Sequence, residues 1–468
     1  MLAAHARDTF ELHARHINPA MVGVLQTLGF DARFVRGEGA YLWDDEGHRY
    51  LDLLGGYAVF NIGRNHPVVR DAIEQAMRAS LPNLPGIGMF RTSGILAKEL
   101  CAAAPGGGGP GGLESVFFAS SGAEAMDAAI KFARCSTGRA RILACHRGYH
   151  GLTMGSLALC GHPEFRDGFG PLIGPVTFVP FDDLPALERE LRTGDVAAFV
   201  VEPIQGKGVF IPSDEYLPEA ARLCSRHGAA LIADEIQTGF GRTGRMFACE
   251  HWGVEPDIMV VAKALSGGYV PVGAVLMRER INRAVFDSMQ NCSRIQTTFG
   301  QNDLAMVAGL ATLHVLREGK VVEHAARVGE LMLNGLRRAI GAMPIVKEIR
   351  GKGLMIGIEF GRPESLSLRM GWDLLHKLDQ SLFCQAILMP LMSDHRMLAQ
   401  VAAHRVDIIK LIPPLVMSET DADDVARAFE KTVGACNQFP GPVWEIGKKL
   451  SSAALRRVSR GVGVAGPS

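Results

Sequence analysis

The sequence predicts an α/β fold organised around a mostly parallel, doubly wound sheet. Short runs at 196–201, 231–233 and 258–262 are apolar throughout and bounded by turn residues, as strands buried on both faces are. A helical pattern over 215–227 separates the first two of these runs, and strand, helix, strand in alternation is the mark of parallel pairing. A chain of 468 residues is too long for one small core, so a large subunit in two parts is expected.

In chain order, His5, His13 and His16 share helical spacing, but no further ligand follows at metal-binding spacing, so they read as a polar helix face. Residues 39–53 alternate around Asp45-Glu46-Gly47 and predict a β-hairpin. Residues 68–79 carry apolar side chains at helical spacing. The run Gly106-Gly107-Gly108-Gly109-Pro110-Gly111-Gly112 cannot hold regular structure and reads as a flexible surface loop.

A strand at 115–119 then feeds Ser120-Ser121-Gly122-Ala123-Glu124-Ala125, which turns into a helix reaching about 134. The first amides of a helix are unpaired and its dipole is positive there, so this turn can bind an anion. A serine serving only as the helix cap is the plainer reading of the same residues. After a strand at 141–145, His146 and His150 lie four apart, yet Gly148 and the strand-end position put them in a loop, away from any helical metal site. The apolar run from 196 ends in the carboxylate of Glu202. Long helical patterns cover 302–317 and 321–340, and short β runs at 347–360 and 406–414 follow, with helices between and after.

Charges balance at 49 basic and 49 acidic residues, which removes the electrostatic case for a nucleic-acid partner. Nine cysteines are scattered without a Cys-x-x-Cys pair, and no signal peptide or membrane-length apolar stretch is evident, so a cytoplasmic protein with reduced thiols is expected.

Two residues concentrate the chemistry. Asp234 ends an apolar run, where an ionised carboxylate is costly unless a cation meets it, and a protonated pyridine nitrogen is suitable. Lys263 ends the next run and opens a Gly-rich loop at the strand edge where open α/β sheets bind ligands. Lysine forms Schiff bases with aldehydes, and burial supplies its neutral amine. An Asp for a ring nitrogen and a Lys for an aldehyde are what pyridoxal 5′-phosphate asks of its protein. A lone lysine after a strand is more often a solvated surface group, and it is the neighbouring motifs that favour the functional reading.

Those motifs are Asp234-Glu235-Ile236-Gln237-Thr238-Gly239, Gly241-Arg242-Thr243-Gly244, Pro256-Asp257-Ile258 and Lys263 with its glycines. Together they resemble the signature of class III aminotransferases, the pyridoxal-phosphate enzymes that include ornithine, acetylornithine and putrescine aminotransferases, over about 39–429. The resemblance implies the type I fold of these transferases, with a large domain and a smaller α+β domain built from both chain ends. The division expected is 1–75 and 346–440 in the small domain, 76–345 in the large one, and a basic tail at 441–468.

It further implies that Lys263 carries the cofactor and shuttles a proton while Asp234 keeps the ring nitrogen protonated. Ser121, Gly122 and Ala123 would cradle the phosphate, Tyr149 would stack on the ring beside His150, and Gln237 would bond the ring hydroxyl. Glu202 joins the cofactor residues. Thr298 would reach the neighbouring subunit's phosphate in a homodimer with shared active sites, and Tyr57 would fall in the substrate pocket, although core packing explains a tyrosine equally well. The substrates implied are small amines and oxo acids, exchanged in ping-pong fashion. No metal is called for.

Three positions depart from the ornithine and acetylornithine enzymes. Leu152 stands where they bind a carboxylate with Arg, and Lys207 and Lys410 stand where they pair a Glu with an Arg. Two-pronged carboxylate capture needs a guanidinium, so a terminal primary amine or its aldehyde is favoured over a free α-amino acid. The alternative is that Lys207 and Lys410 are merely exposed and an Arg elsewhere takes the carboxylate. Residues 444–458 are basic and amphipathic, compatible with an anionic membrane surface and a lipid-linked aldehyde, although an ordinary surface helix is the plainer reading. An aminomutase, racemase or decarboxylase would share Lys263 and Asp234, whereas an inert cofactor-binding scaffold would have no need of both.

Overall fold

The computed structural model describes residues 8–84, 88–378, 380, 382–403, 406–436 and 441. His5 and the basic stretch 444–458 lie outside the described residues. Its centre is a seven-stranded sheet whose strands run, edge to edge, Ser115–Ala119, Gly273–Met277, Ile258–Val261, Ala230–Asp234, Val196–Val201, Arg141–Cys145 and Val176–Val179. The last five are mutually parallel. Gly273–Met277 runs against both its neighbours.

Every residue of Val196–Val201, Ala230–Asp234 and Ile258–Val261 is buried, which is why those segments read as unbroken apolar runs. Two strands escape the sequence reading. Val176–Val179 has only four residues, and Gly273–Met277 is apolar at every position, so periodicity reveals neither its partner nor its direction.

Helix Gly122–Thr137 presses Ala125, Met126, Ala129, Phe132 and Ala133 onto one face of the sheet. Tyr216–His227 buries Leu217, Ala220 and Leu223 in the larger core on the other side of the chain's packing. The segment 106–112 forms turns without a regular element.

Two further four-stranded sheets flank this body. The predicted hairpin is present as Tyr41–Asp44 and Arg49–Asp52, with Asp44 Oδ1 accepting the Glu46 and His48 amides at its turn. Arg49–Asp52 then pairs in parallel with Met397–Leu398, so the two ends of the chain share one sheet. The other sheet joins Val346–Lys352, Met355–Phe360, Ile408–Leu411 and Gln400–Val401. Helices Val321–Ile340 and Glu419–Cys436 pack together over it. Among the described residues no helix is long and apolar enough to cross a membrane, and no group of His, Cys, Asp or Glu is arranged to hold a metal.

Candidate active site

Parallel pairing sets Asp234 opposite Val260, so the Asp234 strand and the strand leading to Lys263 end at the same sheet edge. Asp234 is 3% exposed. Its Oδ2 meets His150 Nδ1 at 2.7 Å, and its Oδ1 accepts the Ile236 amide at 3.1 Å. The sequence called for a cation beside this carboxylate, and the group the fold sets there is the imidazole of His150, a cation when protonated. Burial opposes a charge on His150, but the bond to Asp234 and the charges of Asp234 and Glu202 outweigh it and raise its pKa. His150 Nε2 is buried with no hydrogen-bond partner among the described residues.

Lys263 follows with a left-handed backbone, φ 44°, and is half-buried. Burial pushes its ammonium below the ordinary lysine pKa, and Lys207 adds to the effect while Asp234 and Glu202 oppose it. A lysine whose pKa is lowered yields its neutral amine more readily, which suits it to attack an aldehyde and to move a proton.

The Ser121 turn abuts these strand ends. Ser121 caps helix Gly122–Thr137 by accepting the Glu124 amide at 3.2 Å, and Glu124 reaches back to the Ser120 amide at 2.7 Å. A Cβ on Gly122 would sit 3.0 Å from Ile236 Cδ1 and 3.2 Å from Ala262 Cβ. A side chain at this position would make Ile236 and Ala262 give way by a few tenths of an ångström, so the bare glycine lets the positive end of this helix approach the segments after Asp234 and before Lys263 closely. Thus the serine is a cap, and the amides of Gly122 and Ala123 remain available to an anion at the same place.

Tyr149 is half-buried, with its amide held by Glu202 Oε1 at 3.0 Å. Glu202 Oε2 accepts the Gly206 amide at 2.8 Å, so both oxygens of this buried carboxylate shape loops of the site. Burial pushes its pKa up. The Lys207 ammonium lies 5.0 Å from the Tyr149 ring and 5.1 Å from that of Phe165, which itself packs edge-on to Tyr149 at 5.3 Å.

Lys410 is 3% exposed and donates to Gly206 O at 2.9 Å and Gln237 Oε1 at 3.3 Å. Burial, then Lys263 and Lys207, push it down to about 7. Neither lysine is the surface group that the alternative reading required. Burial also lowers the pKa of Lys207.

Gln237 Nε2 donates to the backbone oxygen of Tyr57 at 3.4 Å, which sets Gln237 beside Tyr57. Its side chain is 57% exposed, which excludes the core-packing explanation. Leu152 is exposed as well. Thr298 lies exposed on the segment whose neighbour Thr297 bonds Phe118 O at 3.4 Å, beyond the strand that leads to Ser121.

The sequence reading missed Arg242 as a structural centre. It is fully buried and donates to Asn61 Oδ1 at 2.6 Å, Leu354 O at 2.9 Å and Pro413 O at 2.5 Å. Its place between two glycines in Gly241-Arg242-Thr243-Gly244 was the available signal. Phe165 was missed too, since its contact with Tyr149 joins separate loops.

These residues fit pyridoxal 5′-phosphate on the structure's own terms: free amides at a helix N-terminus for a phosphate, an aromatic wall, a buried carboxylate held by a histidine, and a lysine of lowered pKa. Residues 26–433 match the family described as aminotransferase class III. The chain is 34% identical over 464 residues to aminotransferase PigE of Serratia sp., an alignment that takes in 92% of this chain and 54% of that relative, so it spans about half the relative's length. It is 40% identical over 379 residues to putrescine aminotransferase of Pectobacterium atrosepticum, across 78% of this chain and 79% of that protein.

Among solved structures, the ornithine aminotransferase from Toxoplasma gondii, described with pyridoxal phosphate at its active site, superposes with a TM-score of 0.78 at 29% identity, covering 92% of this chain and 95% of that one. The (S)-enantioselective omega-transaminase from Thermomicrobium roseum does so at 0.79 and 28%, covering 92% and 98%. The fold is that of the type I pyridoxal-phosphate transferases, and pyridoxal 5′-phosphate is the cofactor. The chain belongs to the class III aminotransferase family.

Proposed function

We propose that this chain is a pyridoxal-phosphate-dependent aminotransferase that moves an amino group between a terminal primary amine and an oxo acid or aldehyde. The observation that carries the reading is the meeting of Lys263, Asp234 and His150 at one sheet edge in a chain of this family.

When bound, the cofactor supplies an aldehyde for the amine and a ring that draws electrons from the carbon losing its proton. Lys263 would hold it, and its amine would carry a proton to and from the substrate carbon, a task that its lowered pKa supports. Asp234 would meet the ring nitrogen, and His150 orients that carboxylate. Ser121, Gly122 and Ala123 would take the phosphate, Tyr149 would cover the ring and Gln237 would meet the ring hydroxyl, while Glu202 braces the loops of Tyr149 and Gly206.

Tyr57, Leu152, Lys207 and Lys410 face the substrate. None offers a guanidinium, and Lys410 is already engaged by Gly206 and Gln237, which supports an amine without an α-carboxylate. The names of the putrescine aminotransferase and omega-transaminase relatives agree.

The exposed Thr298 supports a homodimer in which its hydroxyl serves the neighbouring subunit's phosphate. Nine free thiols support a reducing, cytoplasmic setting. The parallel pairing of Arg49–Asp52 with Met397–Leu398 supports one small domain drawn from 1–75 and 346–440, beside a large domain at 76–345.

The test is a panel of diamines, monoamines and α-amino acids added to the holoenzyme, scored by bleaching of its visible absorbance and by dependence of turnover on an oxo acid or aldehyde acceptor. Terminal amines should be the best donors. Ornithine or acetylornithine as the best donor would overturn the substrate reading, and turnover without an acceptor would overturn the transaminase reading.

A further inference from the structure

A cation inside a protein ordinarily has a carboxylate beside it, because transfer from water is otherwise costly. Lys410 does not. It rises from strand Ile408–Leu411, is 3% exposed, and directs its Nζ at Gly206 O and Gln237 Oε1. The charged groups facing it are Lys263 after the adjoining sheet, Lys207 and Glu202 on the loop beyond Val196–Val201, and Arg242 in the glycine-flanked turn. Glu202 alone among them is acidic, and its two oxygens are engaged by the Tyr149 and Gly206 amides.

We propose that Lys410 is a positioning residue for Gln237: its ammonium holds the amide oxygen and thereby turns Gln237 Nε2 to the Tyr57 side of the pocket. The proposal rests on the cofactor reading above, in which Gln237 meets the ring hydroxyl. An ammonium has three donors and no acceptor, so it admits only the oxygen end of an amide. Nε2 must then point away, as its bond to Tyr57 O records. A neutral amine has a lone pair and no longer requires the oxygen end, so deprotonation removes this half of the hold and leaves the bond to Tyr57 O alone to orient the amide.

Burial first, then Lys263, Lys207 and Arg242, bring this change down to about 7, with Glu202 opposing. The donor that Gln237 offers to the cofactor ring is therefore held from both ends of the amide on the acid side of neutrality and from the Tyr57 end alone on the alkaline side.

The experiment is a pH titration of the visible absorbance of the full-length protein loaded with pyridoxal 5′-phosphate, without substrate. Lys410→Arg keeps a charge across the range and stands where related enzymes carry arginine. It should lose the spectral component that titrates near 7 and hold the acid-side spectrum. Lys410→Met should lose the same component, and in a Gln237→Leu background it should change the spectrum no further, because the effect runs through the amide.

A Lys410→Arg protein that titrates as wild type does would overturn the proposal. So would a Lys410→Met effect that persists undiminished without Gln237, since it would then be a through-space charge effect. Should Lys410→Met fail to fold, the arginine variant alone decides. A wild-type protein that takes up no colour refutes the cofactor reading and this proposal with it, whereas a coloured protein whose titration ignores Lys410 refutes this proposal only.

Discussion

At the scale of single residues, the bond from His150 to Asp234 makes folding stability depend on pH. Both are buried, and the bond between them is 2.7 Å. His150→Phe leaves Asp234 Oδ2 without its donor, and the expected loss is about 1–3 kcal/mol of stability, measured by urea unfolding of apo protein. The histidine's pKa is raised by folding, so its contribution is complete below the unfolded value of about 6.5 and lost as pH climbs through the higher folded value. The gap between wild type and His150→Phe should therefore be widest in mild acid and narrow toward alkaline pH. A gap that widens with pH would contradict a charged His150.

Asp234 and Lys263 were legible in the sequence because each is a polar residue closing an otherwise apolar run. Their partner was not. His150 lies 84 residues from Asp234, and only the stacking of parallel strands brings the two together. Nor was the burial of Lys410 legible, since nothing local distinguishes a buried lysine from a solvated one.

At the scale of elements, the site is a convergence of loops at strand ends, and close backbone approach is what brings them together. Gly151 has φ +124°, and a Cβ there would lie 2.6 Å from Ala123 Cβ and 2.9 Å from Ala123 Cα. Gly151→Ala therefore has to push the loop of Tyr149 away from the helix N-terminus while straining its own backbone, at a cost of about 1–3 kcal/mol. Cofactor affinity should fall by roughly tenfold or more, equal to ~1.4 kcal/mol, in an absorbance or fluorescence titration. Unchanged affinity would show that the two loops do not have to touch.

The parallel core was readable because strands buried on both faces leave long apolar runs. The antiparallel Gly273–Met277 was not, because such a run carries no mark of direction.

At the scale of the whole molecule, Arg242 ties three distant parts of the chain together. Its guanidinium donates to Asn61 near the first sheet, Leu354 between two strands of the other flanking sheet, and Pro413 after the Lys410 strand. Burial pushes its pKa down to about 9, with Asp52 as a weak counterweight. Arg242→Met leaves three acceptors without a donor, and the expected loss is on the order of 3 kcal/mol in chemical denaturation. Arg242→Lys should recover only part of it, because an ammonium cannot span the three acceptors as a planar fork does. Full recovery by lysine would show that charge, and not the fork, matters.

The shared sheet of the two chain ends was expected only through the resemblance. Pairing between Arg49–Asp52 and Met397–Leu398 crosses most of the chain, and no local pattern reports it.

Lys207, Lys263 and Lys410 feel one another's charge, so the account is most directly tested by asking which of them carries the cofactor. The protein is loaded with pyridoxal 5′-phosphate, reduced with borohydride, digested and sequenced by mass spectrometry. The label is expected on Lys263 alone, and to vanish in Lys263→Ala. A label on Lys207 or Lys410 in the wild-type protein, or none at all, would contradict the account.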